Sequence, residues 1–435
     1  MADAALQRPT PAWSGEERLR QRAAAVDPAR QAPRFAFWML ATFLVLEYLR
    51  PPGIVQLKLQ MLVVFVLPVM WLMSRERPWT SILTFQVLFL AWCVKSLPIA
   101  SNWFNVYFTS RMMYGNIAIA LGLTWVGSNL RDLRRLLWLW LALMSYQAVF
   151  ALTHNGRGTG GFLGDENDLA LACGTALPFA LAGFERMRGL TRWLLAGVVA
   201  LTLLGIVASF SRGGFIGLVL CLGYLFVSSR QKLRSLAAIA AGCLIIYASA
   251  SQEYIDEMMT IQNTDEGTAK GRKFLWAAAY NMWLDHMVLG VGASNSTFFI
   301  GRYQPTDFEG REYNERDWSG LALHSAWFTL LAEHGIVGVL IFVSMIANQF
   351  WMIRRLRRDV RARGDVPDDL RRQIESLGVG VNAAVIGFIG SGTFLSVLYY
   401  PYVWYFTAFA AALDLAVRRE LTQLDRPASQ APATA

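Results

Sequence analysis

Apolar stretches of about the length that crosses a bilayer recur along almost the whole of this 435-residue chain, and that repetition leaves few folds open. They lie at roughly 35–49, 54–73, 79–100, 104–126, 134–153, 168–184, 193–209, 213–229, 235–250, 325–352, 376–398 and 401–417. Lipid offers no partner to a backbone N–H or C=O, so spans of this kind fold as helices, which satisfy those groups internally. The pattern predicts an all-α, polytopic integral membrane protein of about twelve transmembrane helices. A hydrophobic fraction of 55% fits that class. The expected division is a tail at 1–34, nine helices in 35–250, a long polar loop at 251–323, three helices in 324–417 and a tail at 418–435.

Charge orients the bundle. If both tails are cytoplasmic, 28 Lys and Arg fall on the cytoplasmic side, nine on the opposite side and three inside spans, which accounts for all 40. That asymmetry is the positive-inside pattern. It also explains the net charge of +9 without nucleic acid, because the excess lies in loops along one side of a membrane. No small-residue cleavage site follows the first apolar segment, so the N-terminus reads as a retained cytoplasmic tail. Cys93, Cys173, Cys221 and Cys243 all lie in apolar spans, which excludes a disulfide in the polar loop and suggests no thiolate metal site.

The outer side then receives three polar segments: the Gly-rich loop 154–168, the tight turn 209–214 and the long loop 251–323. In the last of these, Phe274, Leu275, Ala278, Met282 and Trp283 follow helical spacing, predicting an amphipathic helix lying at the membrane interface.

Five groups of residues carry chemistry. Arg212, between Ser211 and Gly213-Gly214, can grip a phosphate bidentately at the membrane surface, or can simply snorkel from a helix end. Arg272 is read as starting the amphipathic helix, where it attracts either an anionic ligand or lipid headgroups; Lys270 and Lys273 look more like anchors. His324, at the wet end of a span beside Ser325, can take a proton near neutral pH, or can cap and pack; His334, ten residues on, packs, and Glu333 lies near a helix–helix contact. The carboxylates Asp165, Glu166 and Asp168 read as a helix cap before they read as a metal-binding cluster, with Asn167 beside them as a further loop residue. Four scattered histidines without an H-E-x-x-H pattern make no zinc set, and no cofactor is expected. Lys58, Lys95 and Arg111 fall in the outer halves of spans, where with Arg50 they could line a basic vestibule for a phosphorylated lipid headgroup.

Taken in order, Gly164-Asp165-Glu166-Asn167-Asp168-Leu169-Ala170, Ser211-Arg212-Gly213-Gly214, Gly271-Arg272 with Trp276, and His324-Ser325 followed by Leu331, Glu333, Gly335 and Gly338 resemble the O-antigen ligase and polymerase superfamily of bacterial envelope proteins. The resemblance carries motif content over about 150–340; the outer spans match only in number and hydropathy. It implies a glycosyltransferase at the periplasmic face of the inner membrane. The donor would be a glycan on undecaprenyl pyrophosphate and the acceptor a lipid A–core sugar hydroxyl, with neither a nucleotide sugar nor a metal. Arg212 and Arg272 would bind the pyrophosphate, and His324 would act as general base in an inverting attack, with Asp165 and Asn167 as further loop contacts. The acidic wording of the 165–168 loop departs from the usual pattern. The stretch 324–335 is also similar to protein O-glycosylation ligases linked to exosortase systems. A repeat-unit polymerase and a protein O-oligosaccharyltransferase therefore stay open, differing in acceptor. A lipid or oligosaccharide transporter also has about twelve spans, but the halves of this chain do not repeat and its polar motifs gather on one side.

Overall fold

The computed structural model describes residues 32–259, 267–306, 308 and 317–425. Five of the tail arginines, together with Arg311, Arg316 and Arg426, lie outside them.

Among the described residues there are fifteen α-helices and no strand. They are α1 (Arg34–Leu49), α2 (Leu59–Met73), α3 (Ser81–Val94), α4 (Trp103–Val126), α5 (Leu130–Thr153), α6 (Glu166–Arg186), α7 (Gly189–Ala208) and α8 (Arg212–Ser228). They continue with α9 (Lys232–Ser249), α10 (Gln252–Met259), α11 (Gly267–Asp285), α12 (Ser296–Tyr303), α13 (Ala326–Ala362), α14 (Asp368–Gly392) and α15 (Pro401–Leu424). A helix falls in each of the twelve expected apolar intervals, but α2 starts only at Leu59 of 54–73, α3 ends at Val94 of 79–100 and α14 at Gly392 of 376–398. Six of them, α5, α6, α7, α9, α13 and α14, are long and apolar enough to cross a membrane by length and composition; α2, α3 and α8 are shorter apolar helices.

Local chemistry starts these helices where they start. Asn102, Asn129, Asp165, Ser211 and Ser325 each accept a hydrogen bond from a backbone N–H of the first turn of α4, α5, α6, α8 and α13 respectively. Each satisfies a donor that the helix itself cannot pair. Pro401 opens α15, where its missing N–H costs nothing.

Burial sorts the bundle. The apolar part of α15 is buried all round, at the centre of the largest core cluster with Trp404 and Tyr402. At the other extreme, α9 has no buried residue, as expected of a helix facing lipid. Helices α6, α8 and α14 form the tightest layer. There a Cβ on Gly214 would overlap that of Ala170, so only glycine lets α8 lie this close to α6.

The long loop differs from its expected interfacial form. Helix α11 is present, but Phe274, Leu275, Ala278, Ala279 and Met282 are buried against Ile300, Tyr303, Trp318, Leu323 and Ala332. The apolar face predicted to lie in lipid is covered by the loop's own core, because α12 and the 317–323 segment fold back across it.

Helix α13 is broken. Gly335 adopts φ 59°, ψ −167°, a conformation that side chains avoid, and splits the helix into a short segment ending at His334 and a longer one. The backbone of 287–292 inserts at the break. Val291 N–H donates to Ala332 O at 2.9 Å, Gly292 N–H to Glu333 O at 3.0 Å, and Ile336 N–H to Met287 O at 2.8 Å. The groups freed by the break thereby find partners.

Candidate active site

One end of the bundle carries the α5–α6 loop, the α7–α8 turn, α10, α11 and the segment before α13. The turn is built first. Ser211 Oγ accepts from Gly214 N–H at 2.9 Å and donates to Asn167 Oδ1 at 2.7 Å. The cap of α8 is thereby tied to the first turn of α6. Arg212 is the first residue of α8, so its side chain and the helix N-terminus offer positive charge at one place.

Arg272 reaches the same place from α11. A cavity of about 510 Å³ is lined by Arg212, Arg272, Arg157, Asn155, Asn167 and Glu257, among others. Burial, and then the charge of Arg212, pull the Arg272 guanidinium below its ordinary pKa. Two like charges facing one cavity repel, and an anion between them would relieve that repulsion. Glu257, on α10, pairs with Arg212 at 3.3 Å. Arg157 pairs with Glu166 at 3.0 Å on the rim.

The placement of Arg272 corrects one detail. It is the sixth residue of α11, not its first, so it lies beyond the turn whose N–H groups are unpaired. Its anion-binding capacity comes from the guanidinium and not from the helix end.

His324 sits at the edge of this charge. It adopts a left-handed backbone, φ 48°, held by its own N–H donating to Ser396 Oγ at 3.1 Å. Trp276 of α11 donates its indole N–H to Leu323 O at 2.9 Å and stacks on Phe328 at 5.1 Å. The imidazole is pulled below the ordinary histidine pKa by burial first and by Arg272 second, with Asp165 opposing. The shift favours the neutral imidazole, the form that can accept a proton. The fold thus brings Arg212, Arg272, His324 and Asp165 into one electrostatic neighbourhood, although long stretches of chain separate them.

Other predicted residues have separate employment. Asp165 Oδ1 accepts from Asn167 N–H at 2.8 Å and from the Asn167 side-chain amide at 2.9 Å, which is the cap expected of it. Asp168 is buried and hydrogen-bonded to Tyr400. Among the described residues, no three His, Cys, Asp or Glu side chains cluster as a ligand set. Lys95 donates to Leu289 O at 2.5 Å and lies 4.3 Å from the Trp92 ring, Arg111 lies over Phe108, and Lys58 precedes α2 in a left-handed conformation. Lys95 thus holds the 287–292 loop, and Arg111 is engaged on its own helix.

Sequence reasoning did not single out Glu257, Ser396, Tyr399 or Tyr400 as part of this end of the molecule. The acidic character of the 251–323 loop was the only signal for Glu257; nothing in the local sequence marks the others.

Residues 197–343, from within α7 to within α13, match the family model described as O-Antigen ligase. Over that stretch the chain is similar to the O-antigen ligase-like superfamily. The matched stretch contains Arg212, Arg272 and His324, and leaves the 154–168 loop outside it. No curated protein sequence matches the chain. The family supports an O-antigen ligase- or polymerase-type function for a multi-pass membrane protein, with lipid-linked glycans as the general substrate class.

Proposed function

We propose that this chain is an O-antigen ligase with twelve spans and both termini in the cytoplasm, acting at the periplasmic face of the bacterial inner membrane. It transfers a glycan from undecaprenyl pyrophosphate to a sugar hydroxyl of lipid A–core. The observation that carries the reading is the single cavity bearing Arg212 and Arg272, with His324 within the electrostatic reach of Arg272.

In the reaction, the acceptor hydroxyl oxygen attacks the anomeric carbon as its proton passes to the neutral His324 imidazole. The bond from the anomeric carbon to the phosphate oxygen breaks, and undecaprenyl pyrophosphate leaves with the electron pair. Attack opposite the leaving group inverts the anomeric centre. Arg212 and Arg272 hold the charge that grows on the pyrophosphate, which lowers the barrier more than it stabilises the ground state. The polar α5–α6 loop, through Asn167 and Asp165, borders the donor's first sugars. The chain itself supplies base and electrophilic groups, so no metal is assigned a step.

The test is glycan transfer by purified protein, with undecaprenyl-pyrophosphate-linked glycan, lipid A–core and a chelator present. Transfer to lipid A–core, lost about 10²- to 10⁴-fold in His324→Ala, is expected for a general base. Longer chains on the carrier with none on lipid A–core would make the enzyme a polymerase, and transfer to a protein serine or threonine would make it a protein O-oligosaccharyltransferase. Undiminished activity in His324→Ala would remove the base from the mechanism.

A further inference from the structure

The strongest unexplained group in the molecule is a buried carboxylate. Glu333 is 2% exposed, next to the break in α13, and nothing in the transfer reaction requires it. Its oxygens accept from Ser294 N–H at 2.7 Å, Ser296 Oγ at 2.7 Å, Ser296 N–H at 3.4 Å and the hydroxyl of Tyr399. Tyr399 in turn meets His334 Nε2 at 2.7 Å. The only hydroxyl proton of Tyr399 goes to Glu333, so His334 is the donor in that contact.

The partners of Glu333 lead back to His324 from two directions. Along α13, Glu333 lies one residue from the end of the short helical segment that Ser325 caps and His324 precedes. Through space, Ser296 is followed by Thr297, whose carbonyl accepts from Gly320 N–H at 2.9 Å, four residues before His324. The same 293–296 turn is fastened to α4: Asn295 Oδ1 accepts from Asn102 N–H at 2.8 Å, Asn105 donates to Ser294 O at 3.1 Å, and Thr109 donates to Ser294 Oγ at 2.7 Å. The carboxylate is thus the junction of the broken helix, the inserted loop and the segment that presents the imidazole.

We infer that Glu333, with Ser296 and Tyr399, is a positioning clamp for the transfer step: it fixes His324 by pinning the 287–297 loop into the break of α13. The inference rests on His324 being the base. Charge-assisted hydrogen bonds to a buried carboxylate are the strong ones, so one missing donor is enough to loosen the segment. Donor binding, which belongs to Arg212 and Arg272, is left alone.

The test uses the full chain in lipid nanodiscs, with undecaprenyl-pyrophosphate-linked glycan and lipid A–core, and compares Ser296→Ala, Ser296→Thr, Tyr399→Phe, His324→Ala and the Ser296→Ala/His324→Ala double variant. Ser296→Ala and Tyr399→Phe are expected to lower kcat about tenfold with donor KM within about twofold, and Ser296→Thr to restore it, because the hydroxyl returns. In the His324→Ala background, Ser296→Ala should cost less than about twofold, since a clamp has nothing left to position. A wild-type kcat in Ser296→Ala, or an additive loss in the double variant, overturns the clamp. Hydrogen exchange of the 318–325 amides separates this failure from that of the parent reading. If His324→Ala is fully active, faster exchange in Ser296→Ala still upholds a clamp on the segment, and unchanged exchange removes it.

Discussion

The hydroxyl of Ser211 donates to the side-chain oxygen of Asn167 at 2.7 Å, across 44 residues of chain. Through that bond the acidic loop that opens α6 fixes the cap of α8, and with it the root of Arg212. Motifs that are separate words in the sequence share one hydrogen bond in the fold.

Asn167→Ala should therefore act through Arg212. The lost acceptor leaves Ser211 Oγ with its capping role alone. A typical net hydrogen bond of about 1 kcal/mol corresponds to roughly a fivefold effect. We expect kcat/KM for the donor to fall about fivefold, measured by initial rates over a donor titration. An unchanged kcat/KM would show that Arg212 keeps its place without Asn167.

Glu257 pairs with Arg212, the arginine proposed to hold the donor's pyrophosphate. Glu257→Gln should strengthen binding of inorganic pyrophosphate by about two- to fivefold, the range of a partly exposed ion pair. Calorimetry at low ionic strength reads this directly. The gain should shrink as salt rises, because exposed charges are screened. Weaker pyrophosphate binding in Glu257→Gln would show that the carboxylate supports the site.

The acid limb of the pH profile should follow His324. Burial and Arg272 lower its pKa, so the free enzyme keeps a neutral base at pH values below the ordinary histidine titration, and kcat/KM should fall only below about pH 6.5. A bound pyrophosphate adds negative charge beside the imidazole and favours its protonated form, so the limb of kcat should lie at higher pH than that of kcat/KM. Identical limbs for the two parameters would mean that the anion does not sit near His324.

Gly214→Ala tests the bundle independently of the chemistry. The new methyl would overlap Ala170 of α6, and overpacking of a filled interior costs about 1–3 kcal/mol. A lower thermal midpoint in detergent is expected, whereas a midpoint equal to that of the wild type would show that α6 and α8 can separate at little cost.

Hydropathy and capping residues made the helices legible, because an apolar run in lipid must pair its own backbone and because Asp165, Ser211 and Ser325 act on neighbours two or three residues away. The same local logic marked Arg212 and His324 as polar groups at helix ends. It placed Arg272 at a helix start, and five residues of preceding helix moved it inward. Hydrophobic periodicity found α11 but not its partner: a 3.6-residue stripe shows that a face is covered, without saying whether lipid or protein covers it.

What the sequence by itself determined is thus the class of the molecule, the capped starts of helices such as α6, α8 and α13, and which polar side chains stand at helix ends, all set by interactions within a turn or two of chain. Only the tertiary structure decided that Arg212 and Arg272 line one cavity, that Glu257 faces Arg212, and that a loop fills the break at Gly335 and is held there by Glu333. Those contacts join residues tens of positions apart, and they follow from how the helices pack, which no local pattern encodes.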